Sequence, residues 1–166
     1  MSVRKTSAAS ERRAGETSGR KATTSYEKDV ILWSEEQARL LRARRFSELD
    51  IEHLADEIED VGKSEKRELA SRMAVLLAHL LKWRNQPEKR CNSWSATINV
   101  QRKRIALALK ETPSLKAAMR DPDWQEGVWL DAFAQAQKET GLAEEALPEA
   151  FPWIMEQAAD AQFWPE

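Results

Sequence analysis

Cysteine occurs once in the 166 residues, at Cys91. No internal disulfide can form, so a core must hold the fold, and a reducing cytoplasm is the expected compartment. With no second cysteine and no histidine near it in sequence, Cys91 reads as a spectator thiol, although Arg90 beside it would favour the thiolate. Only five glycines are present. They build neither a phosphate-cradling loop nor a nucleophile elbow, which disfavours nucleotide-dependent enzymes. Long apolar runs are missing too. The longest useful stretch, MAVLLAHLL at 73–81, is far too short to span a bilayer and follows no signal-peptide pattern, so no membrane partner is expected. Strand signals are absent from Tyr26 onward.

What remains is a chain long enough for one domain that buries roughly two-thirds of its unfolded surface. Its 42% hydrophobic and 33% charged content is that of an ordinary folded domain, not of a disordered chain. The net charge of −2 conceals a segregation. Residues 1–25 hold six Lys/Arg against two Glu, and 48–61 hold seven Asp/Glu with no Lys or Arg. Residues 82–104 hold seven Lys/Arg against one Glu, and 121–166 hold eleven Asp/Glu against one Lys. Blocks of opposite sign predict complementarity within the fold or between subunits, and fit less well a nucleic-acid binder, which is basic throughout.

Residues 1–25 are rich in Ser, Thr, Ala and Arg, with almost no large apolar side chain. They cannot bury enough surface to offset their ordering entropy, so the segment reads as a disordered arm. Its Arg-rich character resembles an organellar presequence but has no amphipathic stripe. The rest, 26–166, reads as a single all-α domain: a helical bundle of about five main helices with a short irregular helical C-terminal tail.

A first helix is predicted over about 26–44, capped by Ser25, with Val30, Trp33, Gln37, Leu40 and Leu41 along one face. A second starts at Leu49-Asp50 with Ile51, Leu54, Ala55, Ile58 and Val61 inward. Gly62 either separates it from the next helix, about 64–84, or lies within one continuous helix; periodicity leaves both open. In 64–84, Leu69, Met73, Leu76 and Leu80 form the main stripe, and other apolar residues cover most of the remaining faces, as in a fully buried helix. Pro87 forces a break. Asn92 or Ser93 caps a helix to about Glu111, and Thr112-Pro113 starts a short helical turn. Asp121-Pro122 opens a long helix that Gly141 stops, and Pro148, Pro152 and Pro165 leave room only for short helices such as 153–159.

The basic corner HLLKWRNQPEKRCNSWSATI at 79–98 contains two tryptophans between helix ends. Lys82, Trp83, Arg84, Lys89 and Arg90, with Arg102 just beyond the stretch, are the candidate binding residues. At 100° per residue, Ile98, Ile105 and Leu109 fall within about 60° of Trp94, whereas Arg102, Lys103 and Arg104 fan out about 100° apart. One helix therefore cannot gather them into a phosphate track. Helix-end charges and aromatic faces that receive guanidinium groups explain the corner structurally, and that reading is preferred.

Arg72 and His79 are two helical turns apart, about 10 Å along one face. Arg-x6-His falls within the loose Arg-x4–6-His pattern of a superfamily of helical ribonucleases, in which an imidazole transfers protons beside a phosphate-holding arginine. In that superfamily a polar residue usually follows the arginine, and here Met73 does. The competing account is an Arg72–Glu68 ion pair and a hydrogen-bonded core histidine. His53 and Glu57, at i and i+4 in ELDIEHLADEIED, are metal-ligand candidates, but helical di-metal sites need a second such motif. A solvated acidic face is the preferred reading, and no metal or cofactor is expected.

The segments LWSEEQARLLRARRFSELDIEHLADEIEDVGKSEKRELASRMAVLLAHLLKW, SWSATINVQRKRI, TPSL, ETGL and PWIMEQAADAQFWPE closely resemble, in order, the bacterial family known as domain of unknown function twenty-nine. The resemblance covers about 26–166 and leaves the arm outside. It implies a bacterial all-α protein of one domain, with no activity to transfer and no catalytic residue. The expected function is therefore non-enzymatic action through protein contacts, self-association foremost, with RNA binding or cleavage through Arg72 and His79 as the alternative.

Overall fold

The computed structural model describes residues 25–141, 143, 146–148 and 150–166; of the arm expected over 1–25, all but Ser25 lies outside the described residues. Among them the chain is all-α, without strands: α1 (Val30–Arg42), α2 (Ile51–Asn85), α3 (Asn92–Glu111), α4 (Leu115–Ala118), α5 (Pro122–Thr140) and α6 (Met155–Ala159), with 3-10 turns at Phe46–Glu48 and Pro87–Lys89. No helix among these residues is long and apolar enough to cross a membrane. The chain divides into two compact units, Met1–Leu54 and Ala55–Glu166, and the boundary falls inside α2.

In the first unit α1 begins at Val30, not Tyr26. Asp29 is the cap: its Oδ1 accepts from the amides of Ile31 at 3.1 Å and Leu32 at 3.0 Å. A carboxylate there satisfies two open donors and meets the positive end of the helix dipole. The Ser25 hydroxyl instead donates to Glu27 at 2.7 Å. At the other end, Arg45 N–H donates to Leu40 O and Arg44 N–H to Leu41 O, each at 3.0 Å. This Schellman closure places Arg44 at φ 56, a left-handed position usually given to glycine. Trp33, Gln37 and Leu40 are buried along one stripe, whereas Val30 and Leu41, expected on the same face, are exposed. Gln37 tolerates burial because its Oε1 accepts the Asp50 amide at 2.9 Å.

Gly62 does not interrupt α2, which runs unbroken from Ile51 to Asn85 and from Ala55 onward belongs to the second unit. A helical glycine costs about 1 kcal/mol relative to alanine, which strong helix formers on both sides absorb. From Met73 to Lys82, α2 is buried almost all round. On one side Met73, Leu76 and Leu80 pack with Ile98 and Ile105 of α3 and with Met155 of α6. On the other, Ala78 and Leu81 pack with Trp129 and Ala136 of α5 and with Leu147. Asp121 caps α5 through Oδ1, accepting from the amides of Asp123 and Trp124, and Gly141 closes it at φ 67.

The N-terminal half of α2 corrects the sequence reading. Ile51, Ile58 and Val61 were expected inward, yet they are 60%, 71% and 66% exposed. Ala55 is exposed as well, and Leu54 is half-buried. Every residue from Ile58 to Glu68 is exposed, about three turns of helix with an apolar row that nothing among the described residues of its unit covers.

Candidate functional site

Arg72 and His79 stand on the part of α2 that enters the core. The Arg72 guanidinium is ion-paired with Glu68 one turn earlier. His79 is half-buried, and its Nδ1 lies 2.9 Å from the Val75 carbonyl. A carbonyl only accepts, so the neutral ring carries its proton on Nδ1 and keeps Nε2 as the basic nitrogen. Burial pushes the imidazole pKa down. The bond to Val75 and the carboxylate of Glu139 oppose that, the Lys82 ammonium adds to it, and the net pKa is below the ordinary histidine value. The residue is thus a neutral imidazole at pH 7, with an arginine two turns away that is already engaged by a carboxylate.

The structure separates the six candidates of the basic corner. Lys82 is buried, 5% exposed. Its Nζ donates to Glu139 Oε2 of α5 at 2.5 Å and sits 4.6 Å from the centroid of the Trp94 ring. Burial raises the Glu139 pKa, but hydrogen bonds from Lys82 and Gln135 outweigh it and hold the carboxyl below its usual value. Arg102, 3% exposed, donates from Nε to the Ala158 carbonyl at 3.0 Å and from Nη2 to the Phe163 carbonyl, with Trp164 beneath it at 5.3 Å. Desolvation lowers its pKa, with Asp160 opposing. Trp83 is half-buried against Trp164, ring centroids 4.7 Å apart. Arg90 folds back over Trp83, 5.1 Å from its ring, and donates from Nε to its carbonyl at 2.8 Å. Arg84 and Lys89 are exposed. Two of the six cations and aromatics are therefore interior struts, and two more form a corner clasp.

His53 belongs to a cluster that periodicity does not reveal. Its Nδ1 lies 2.7 Å from Asp50 Oδ2, which also accepts from Trp33 Nε1 at 3.1 Å. The Tyr26 ring stacks on the imidazole with centroids 4.3 Å apart. Burial pushes the Asp50 carboxyl up, but the bonds from His53 and Trp33 bring it below its ordinary value. Asp50 and His53 have the three-residue spacing of a capping box at the start of α2, and that spacing was the available signal. Among the described residues no group of three or more His, Cys, Asp or Glu side chains converges as metal ligands would, and Glu57 is half-buried a turn further on.

The remaining functional candidate is the exposed half of α2 itself. Ile58 and Val61 project there beside Asp56, Glu59 and Asp60, followed by Lys63, Lys66 and Arg67. Lys63 reaches Asp60 at 3.1 Å and Glu59 at 3.5 Å, all more than half exposed, so these pairs are screened and weak. Such a surface offers apolar area and ordered charge, the ingredients of recognition.

A family model described as Domain of unknown function DUF29 matches residues 25–164. No curated protein and no solved structure matches the chain.

Proposed function

The chain belongs to the family described as Domain of unknown function DUF29, and from that premise we propose that it acts through protein–protein contact, self-association first, and not as an enzyme. One observation carries this reading: the stretch of α2 from Ile58 to Glu68, exposed on all sides with two large aliphatic side chains in water. A helix derives most of its stability from packing an apolar face, so a long exposed segment of this kind gains most from a partner surface. The burial of Lys82 and Arg102 supports the same reading, because it removes two cations from the basic corner, which a nucleic-acid surface would need exposed. The lone thiol, Cys91, is exposed, which supports a reducing compartment such as the cytoplasm. Light scattering over a range of protein concentrations, at low and high salt, tests the proposal. A mass above that of one chain, growing with concentration, is expected; a strict monomer under every condition defeats self-association.

The ribonuclease alternative rests on one observation, the neutral His79 imidazole with Arg72 on the same helix. It requires RNA cleavage by the intact protein that is lost in His79→Ala while helicity persists. No cleavage by the parent, or undiminished cleavage by the variant, removes it.

A further inference from the structure

We infer that Trp83, Gln101 and Arg102 form a seat for the base of a nucleotide, and that residues 160–166 cover it as an intramolecular lid. The inference goes beyond the protein-contact reading above and does not depend on it.

The indole of Trp164 fills the seat in the closed form. Its ring meets the Trp83 ring, with centroids 4.7 Å apart and planes inclined at 53°, and the Arg102 guanidinium lies 5.3 Å from its centroid. An indole face and a guanidinium plane beside one planar ring are also the surroundings in which proteins hold an unstacked nucleobase. The resident ring is a poor match. It is tilted on Trp83, not stacked, and it leaves polar groups unsatisfied. Arg102 is 3% exposed and donates from Nε to the Ala158 carbonyl at 3.0 Å and from Nη2 to the Phe163 carbonyl. Its Nη1 is buried without a partner among the described residues, and so is Oε1 of Gln101, its neighbour on α3. Buried polar groups are normally paired. One open donor and one open acceptor call for a ligand edge that carries both, as a nucleobase does; an indole offers a single donor and no acceptor.

The lid is lightly tied. Among the described residues no backbone–backbone hydrogen bond joins 161–166 to another element. Asp160, Ala161 and Gln162 are exposed, in a turn closed locally by Gln162 N–H to Asp160 Oδ1 at 2.8 Å and Phe163 N–H to Asp160 O at 3.2 Å. Besides the Arg102 bonds, the hold consists of Phe163 against Trp153, centroids 5.7 Å apart, and the buried Pro165. A segment held by side chains alone opens more readily than the helices beneath it.

Charge points to the same ligand. In the closed form Asp160 attracts the Arg102 charge, so the lid stands where an anion would. Lifting 160–166 withdraws Asp160 and Glu166 and bares Arg102 in the corner that also carries the exposed Arg84, Lys89 and Arg90. Three acids stay behind. Glu139 is held by Lys82 and Glu156 by Arg120, and only Glu88 is exposed without a charged partner among the described residues. The corner is closed to nucleotides in this arrangement and opens to their bases and phosphates with the lid.

Fluorescence anisotropy of the full chain with a labelled single-stranded RNA, with guanosine monophosphate as competitor, tests the seat. Trp164→Ala removes the resident ring and leaves the seat, so it should bind the RNA at least about tenfold more tightly than wild type. Adding Trp83→Ala should abolish that gain. In the wild type, RNA should speed amide hydrogen exchange at 160–166, a readout that stands even if Trp164→Ala does not fold. Full competition by guanosine monophosphate identifies a free nucleotide as the ligand; RNA binding that resists competition and weakens steeply with salt identifies nucleic acid, and either result supports the seat. No binding by wild type and Trp164→Ala alike, equal affinity of the two, or a gain that survives Trp83→Ala overturns the inference. Wild-type binding without faster exchange at 160–166 overturns it as well.

Discussion

Removing Glu139 should cost more stability than removing Lys82, although the two form one ion pair. The Lys82 side chain is 6% exposed and the Glu139 side chain 36%. In Glu139→Ala the ammonium stays buried, supported only by the Trp94 ring 4.6 Å away. Breaking a fully buried pair costs about 3–5 kcal/mol, and an exposed pair contributes about 0–1 kcal/mol. With one partner interior and the other a third open to water, the expected loss for Glu139→Ala is about 2 kcal/mol. In Lys82→Met the thioether occupies the same apolar channel, while Glu139 can be hydrated, so the loss should stay within about 1 kcal/mol. The double variant should resemble Lys82→Met, because the burden of an unpaired buried charge is gone. Urea unfolding at pH 7 reads these differences. For an m-value of about 2 kcal/mol/M, Glu139→Ala lowers the midpoint by about 1 M. If Lys82→Met proves as damaging as Glu139→Ala, or if Glu139→Ala is neutral, the pair is not an interior strut and Lys82 returns as a candidate surface contact.

Three further outcomes follow from the same geometry. Arg102→Met leaves the Ala158 and Phe163 carbonyls without their guanidinium donors; a loss of about 3 kcal/mol is expected, read as faster proteolysis around 155–166, and an unchanged cleavage rate contradicts it. His79 has its pKa lowered in the fold from an ordinary value of 6.5, so the unfolded chain takes up the proton first. Its contribution to stability is complete above pH 6.5 and is lost as pH falls from there through the folded pKa. His79→Gln should flatten that part of a stability–pH curve; an identical curve refutes the assignment. Acid loss from Asp50 and Glu139, whose pKa values are lowered from 3.8 and 4.5, should remain, beginning near those values and progressing below them. Arg44→Gly removes a side chain from a left-handed position and should stabilise by about 1 kcal/mol, visible as a higher melting temperature; a lower one contradicts the strain argument.

Much of the architecture is legible without coordinates. Absence of strand patterns, the Asp121-Pro122 start and Gly141 stop of α5, the break at Pro87 and the buried stretch around Met73–Leu81 all follow from interactions within about four residues, and those local rules act on any chain with these residues. The first cap was misplaced from Asp29 to Ser25 because both residue types cap helices, and only the geometry shows which hydrogen bonds form. Gly62 could end a helix or lie within one, and local propensity is too even to decide.

The candidate site was decided by tertiary structure. Lys82 and Arg102 look like surface cations because lysine and arginine are seldom buried, yet each meets its partner 56 to 61 positions along the chain. Ile58 and Val61 look like core because their spacing marks one helix face, yet no element among the described residues of their unit lies over them. Periodicity identifies a face; it carries no information on what covers that face. Burial depends on contacts between distant segments, and those exist only once the chain has folded.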